Sequence, residues 1–197
     1  MDVYAIPMDV LLLNLILYGC LPLWVILGFA DYVCHRRSDI ERTSGTRESL
    51  FHCVMGAQIG LPVFLGLYFE INVLLLLLAF ILLAVHLWVA HSDVAYALRA
   101  RKVTLWEMHI HSFLETLPFV VVLLIILKRW PAFVDLITLN WAGNLTLVPK
   151  ATPVDFHYIV GYFLFMLVVG IAPYLNELWR CWSTDRKLRS FTKRVVE

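Results

Sequence analysis

Five long apolar stretches leave this chain almost nowhere to fold except inside a bilayer. They cover residues 10–33, 50–69, 73–90, 113–127 and 158–179. In hydrocarbon a backbone must satisfy its own hydrogen bonds, and a helix of about 20 residues does so while crossing a core of roughly 30 Å. With 61% hydrophobic and only 16% charged residues, the chain also lacks the polar surface of a soluble domain. The expected fold is therefore all-α, a single integral membrane bundle of about five transmembrane helices. The first stretch follows MDVYAIPMD, with no basic residue ahead and no small-residue cleavage motif behind, so it reads as a retained helix.

Lys and Arg set the expected orientation, because they collect on the cytoplasmic side. Arg36, Arg37, Arg42 and Arg47 follow the first stretch, and Arg99, Arg101 and Lys102 follow the third. Arg180, Arg186, Lys187, Arg189, Lys193 and Arg194 follow the fifth. The opposite side has only Lys128, Arg129 and Lys150. This places the N-terminus outside and the C-terminus in the cytoplasm. The basic tail, 183–197, then lies beside anionic headgroups. The outer loop, 128–157, carries Trp130 and Trp141, and indole rings favour the interface, so part of it is expected to lie along the membrane. Its triplet Asn144-Leu145-Thr146 is a glycosylation acceptor only in a secretory-pathway host. Pro22, Pro62, Pro118 and Pro173 fall inside the stretches and predict kinks. Cys20, Cys34, Cys53 and Cys181 form no CxxC and no outer pair, which weakens a zinc-ribbon reading and argues against structural disulfides.

Six of the seven histidines fall near stretch ends on the basic side, in company with carboxylates. The patterns are Asp31-x-x-x-His35, Glu48-x-x-x-His52, His86-x-x-x-x-His91 and Glu107-x-His109-x-His111-x-x-x-Glu115. Residues four apart share a helix face. Counting rise along each helix puts Asp31, His52, His86 and Glu115 in a deep tier and His35, Glu48, His91 and Glu107 in a shallow one, with His111 between. These nine are the candidate metal ligands. Mixed imidazole and carboxylate suits first-row transition metals. A charge within a span costs roughly 2.5–3.5 kcal/mol, which a bound cation offsets. Each residue also has an ordinary role open to it. Thr104-Leu105-Trp106-Glu107 is a capping-box pattern. His109 points away from Glu107 and His111, and His157 stands alone on the outer side. His86 and His91 are five apart, so either their helix bulges or only one of them binds; Asp93 returns to the His86 face and is placed to orient an imidazole.

Transmembrane helices with cytoplasmic histidine clusters resemble the membrane di-iron fatty acid hydroxylase and desaturase superfamily, over roughly residues 31–115. The HxxxH, HxxHH and HxxxHH boxes of that superfamily are absent, and carboxylates stand in for some imidazoles. The resemblance implies two iron ions, dioxygen as oxidant, and hydroxylation or desaturation of a lipid or other apolar substrate at the cytoplasmic membrane boundary. The chain has no flavin fingerprint, dinucleotide loop or iron–sulfur cysteine set, so an external electron-donating reductase is implied. No nucleic-acid partner is expected. Two alternatives are a zinc-dependent membrane lipid hydrolase, with three ligands and an open position, and a b-type haem electron carrier with His52 and His86 as axial ligands.

Overall fold

The computed structural model describes residues 6–196, without the side chains of 189 and 192–196, so part of the basic tail (Arg189, Lys193, Arg194) lies outside the described side chains. Five helices are long and apolar enough to cross a membrane. They are α1 (Met8–Arg37), α2 (Gly45–Tyr68), α3 (Val73–Ala100), α4 (Leu105–Lys128) and, after a short α5 (Trp130–Ile137), α6 (Phe156–Leu188). The last continues as helix to Val196. Among the described residues there is no strand beyond one isolated bridge between Phe69 and Pro149.

Every crossing outruns its apolar stretch, and the excess turns lie chiefly at one end. Hydropathy fades where charges begin, but the helix does not stop there, because those charges pair inside the bundle. At 28 residues, α3 is about 42 Å long, against a hydrocarbon core of about 30 Å. Helices α1, α3 and α6 arrive at this overhanging end, and α2 and α4 leave it. Exposed Trp88, Trp106 and Trp179 ring the same end, as expected for indoles at headgroup depth.

The prolines shape two crossings. Pro22 and Pro173 each follow a π-helical turn, Leu15–Cys20 and Met166–Ile171. In that wider register Leu21 bonds the carbonyl of Ile16, so the next carbonyl, of Leu17, meets a proline with no N–H to give. The Tyr158 hydroxyl of α6 donates to it instead, at 2.5 Å. This pins α6 to α1 within the core formed by Ile16, Leu17, Leu21, Val25, Leu67 and Tyr162.

The turn between α2 and α3 is clamped by the outer segment. Glu70 N–H donates to the Val148 carbonyl at 2.7 Å, Lys150 N–H to Tyr68 at 3.0 Å, and the Asn72 amide to Thr146 at 2.7 Å. Arg129 pairs with Glu70. At the other end, Asp185 caps α2 from a distance, accepting from Thr46 Oγ1 at 2.6 Å. Gly45 begins α2 with φ +67°, and a Cβ there meets Asp185 Oδ1 at 3.2 Å, so glycine suits both the backbone and the contact.

Candidate metal centre

Helix ends that overhang the apolar core bring charged side chains together where neighbouring helices still exclude water. Asp31, His35, Glu48, His52, Asp93, Glu107 and Glu177 are all at most 4% exposed. They come from all five crossings.

The centre is organised about two stacked imidazoles. The rings of His35 and His52 lie 4.3 Å apart at 11°. Glu177 of α6 spans both: Oε2 lies 3.1 Å from His35 Nδ1, and Oε1 lies 3.0 Å from His52 Nδ1. With both Nδ1–H groups donating to Glu177, each Nε2 is left with a lone pair, the arrangement by which carboxylates orient metal-binding histidines. His35 Nε2 faces Asp31 Oδ2 at 3.5 Å and Glu107 Oε1 at 3.4 Å. His52 Nε2 faces Asp93 Oδ2 at 3.4 Å. His111 Nε2 approaches Asp31 Oδ1 at 2.9 Å, yet this contact lacks hydrogen-bond alignment. His35 Nε2 and His52 Nε2 likewise have no hydrogen-bond partner.

These separations fit ligands sharing a cation. Metal–nitrogen and metal–oxygen bonds of 2.0–2.2 Å set neighbouring donor atoms about 2.9–3.5 Å apart in octahedral or tetrahedral geometry. Two sets gather beside the stacked pair with their donor atoms within 4.8 Å of one another: Asp31, His35, Glu107 and His111, and Glu48, His52 and Asp93. A third set, His35, His52 and Glu177, is closed by hydrogen bonds.

Charge makes the same demand. Five buried carboxylates (Asp31, Glu48, Asp93, Glu107 and Glu177) face one buried guanidinium, Arg101. Arg101 grips Glu48 through Nε at 3.1 Å and Glu107 through its terminal nitrogens. Burial works against its charge, but the hydrogen bonds and charges of Glu107 and Glu48 prevail and hold its pKa above the ordinary value. With neutral imidazoles, four negative charges remain. An unpaired buried charge costs several kcal/mol, so the centre requires cations or protons to match.

The nine candidate ligands divide. Asp31, His35, Glu48, His52, Glu107 and His111 converge. Glu107 also completes the expected capping box with Thr104, its N–H donating to Thr104 Oγ1 at 3.2 Å. His91 does not join: α3 runs unbroken from Val73 to Ala100, with no bulge, so a residue five beyond His86 turns outward and is exposed. His86 and Glu115 sit deeper and line the neighbouring cavity rather than the cluster. Asp93, expected only to orient an imidazole, faces His52 directly. Glu177 and Arg101 were not among the candidates, and neither was Tyr174, whose hydroxyl lies 3.2 Å from Asp31 Oδ2 and donates to Gly28 O at 2.8 Å. The four cysteines are free. No protein-family model, curated protein or solved structure matches this chain.

Proposed function

We propose that this protein is a membrane-embedded, metal-dependent oxidase that hydroxylates or desaturates a lipid or other apolar substrate, using two iron ions. One observation carries it: five buried carboxylates against one buried guanidinium, with unpaired imidazole nitrogens among them, border an apolar cavity. Asp31, His35, Glu107 and His111 hold one ion, and His52, Asp93 and Glu48 the other. Glu177 fixes the imidazoles that face them. Iron bound there supplies dioxygen activation. In hydroxylation one oxygen atom enters a C–H bond and the other leaves as water, which consumes two electrons and two protons. An external reductase provides the electrons, because the chain carries no redox cofactor motif of its own. Basic residues at the same end support a cytoplasmic position for the centre, within reach of such a donor.

A zinc hydrolase is the second reading, favoured by the three-residue set of Glu48, His52 and Asp93 beside the cavity. Haem is less well supported, since His52 directs both ring nitrogens at carboxylates. Metal analysis of untagged protein purified without added metals, with an ultraviolet–visible spectrum, separates these. Two iron equivalents are expected. One zinc equivalent selects hydrolysis, a Soret band selects haem, and metal-free protein with full activity refutes all three.

A further inference from the structure

A cavity of about 540 Å³ adjoins the metal centre on its membrane side. Along α2 its wall includes Cys53, Gly56, Ala57, Gly60, Leu61 and Phe64. Their spacing of three and four makes one stripe on the helix. A Cβ added at Gly56 or Gly60 meets nothing within 4 Å, so the small residues hold space open. The stripe is roughly 16 Å long, about half the hydrocarbon core. At its far end Leu61 and Phe64 are about half exposed, which opens the cavity to surrounding lipid.

His86 is a polar member of this wall that no protein group satisfies. It is 4% exposed, and neither ring nitrogen has a partner. Seven residues before Asp93 on α3, it lies roughly 10 Å deeper on the same face. Leaving such a group unsatisfied is unfavourable, and a ligand that pairs with it removes the penalty. An imidazole offers one donor and one acceptor, the complement of a hydroxyl. Asp31, Asp93 and Glu115 share the wall, and they repel a carboxylate or phosphate.

We infer that the cavity takes a single aliphatic chain bearing an uncharged oxygen function, a hydroxyl or carbonyl, which hydrogen-bonds to His86. The chain enters from the bilayer beside α2, its tail lies along the stripe of small residues, and its oxygen-bearing end is the part nearest the carboxylate cluster. Binding of the chain stands on the cavity and His86; only the chemistry done to it rests on the proposed metal centre.

The test is photolabelling of the full chain in phosphatidylcholine nanodiscs by a long-chain alcohol carrying a diazirine near its tail. Crosslinks are expected on residues 56–64 and 166–175. His86→Leu lowers labelling about three- to tenfold, as loss of one hydrogen bond should, with metal content equal to wild type. His86→Gln retains part of the labelling, and Gly60→Leu blocks it. A fatty acid of the same length competes weakly. Equal labelling of His86→Leu and His86→Gln relative to wild type, or equal competition by the fatty acid, overturns the assignment; so does loss of a metal equivalent from His86→Leu, which makes His86 a ligand. Labelled protein that contains no metal retains the cavity assignment and removes the oxidase.

Discussion

Replacing Glu177 by Gln is the sharpest perturbation the geometry offers. The carboxylate accepts from two imidazoles at 3.0 and 3.1 Å. A carboxamide of the same shape has one acceptor oxygen and one donor nitrogen. It therefore serves one imidazole and turns its NH₂ toward the other. That second ring must place its proton on Nε2 and give up the lone pair that faces the carboxylates. Loss of such an orienting partner lowers metal affinity by about 10- to 100-fold, which is about 1.4–2.7 kcal/mol. The expected result is one retained tight site and one weakened site, measured by anaerobic titration with ferrous iron. The same change removes one of the four uncompensated negative charges, so the metal-free variant should melt higher than metal-free wild type. Opposite signs in affinity and in apo stability are the signature. Unchanged affinity at both sites refutes the orienting role, and loss of all binding makes Glu177 a direct ligand.

Other outcomes follow from the same contacts. Arg101→Gln strands Glu48 and Glu107 in the interior and should cost about 3–5 kcal/mol in unfolding experiments, with partial recovery in Arg101→Lys. Because the folded pKa of Arg101 is raised, its contribution is fully present below the ordinary arginine value and is lost only above it; stability of this clamp should show no alkaline step in the accessible range. His91→Ala should shift stability by no more than about 0.5 kcal/mol and leave metal content intact, unlike His35→Ala. Chelation should lower the melting temperature, reflecting loss of about 2.7 kcal/mol per site for an ion present at a hundredfold excess over its Kd. Lys150 has a pKa lowered by burial, which Glu70 only partly offsets. Its folded form binds fewer protons than the unfolded chain between the lowered value and the ordinary one, so stability rises with pH through that window; Lys150→Met should abolish the rise.

Much of this was legible in the residues. Five apolar stretches dictate five helices, and one-turn spacing places Asp31 with His35 and Glu48 with His52. Even the split of His86 from His91 follows from helical period once the helix is known to be unbroken. Glu177 was legible too: like Asp31, it is an acid inside an apolar stretch, between Asn176 and Leu178. It went unused because no histidine stands four residues away, and its partners are 125 and 142 positions distant. Arg101 was hidden differently. In sequence it is one of many basic residues that set orientation, and only packing shows it, among the described side chains, as the guanidinium inside the cluster. Tertiary pairing between distant helices has no period to read.

Arg101 also divides the centre into two faces with different access. It binds Glu48 and Glu107, the carboxylates nearest the helix ends and hence nearest water. Neither of those, nor His35 nor Arg101, borders the large cavity. Asp31, His52, Asp93 and His111 do. The guanidinium thus clamps the two carboxylates at the helix ends, and Asp31 and Asp93, which it does not touch, face the apolar side. A water-soluble substrate approaching from the helix ends meets the Arg101 clamp first. A molecule arriving through the bilayer meets the unsatisfied ligands. Were the site built for a polar solute, the clamped and open faces should be reversed; their actual order supports the proposed membrane-dissolved substrate.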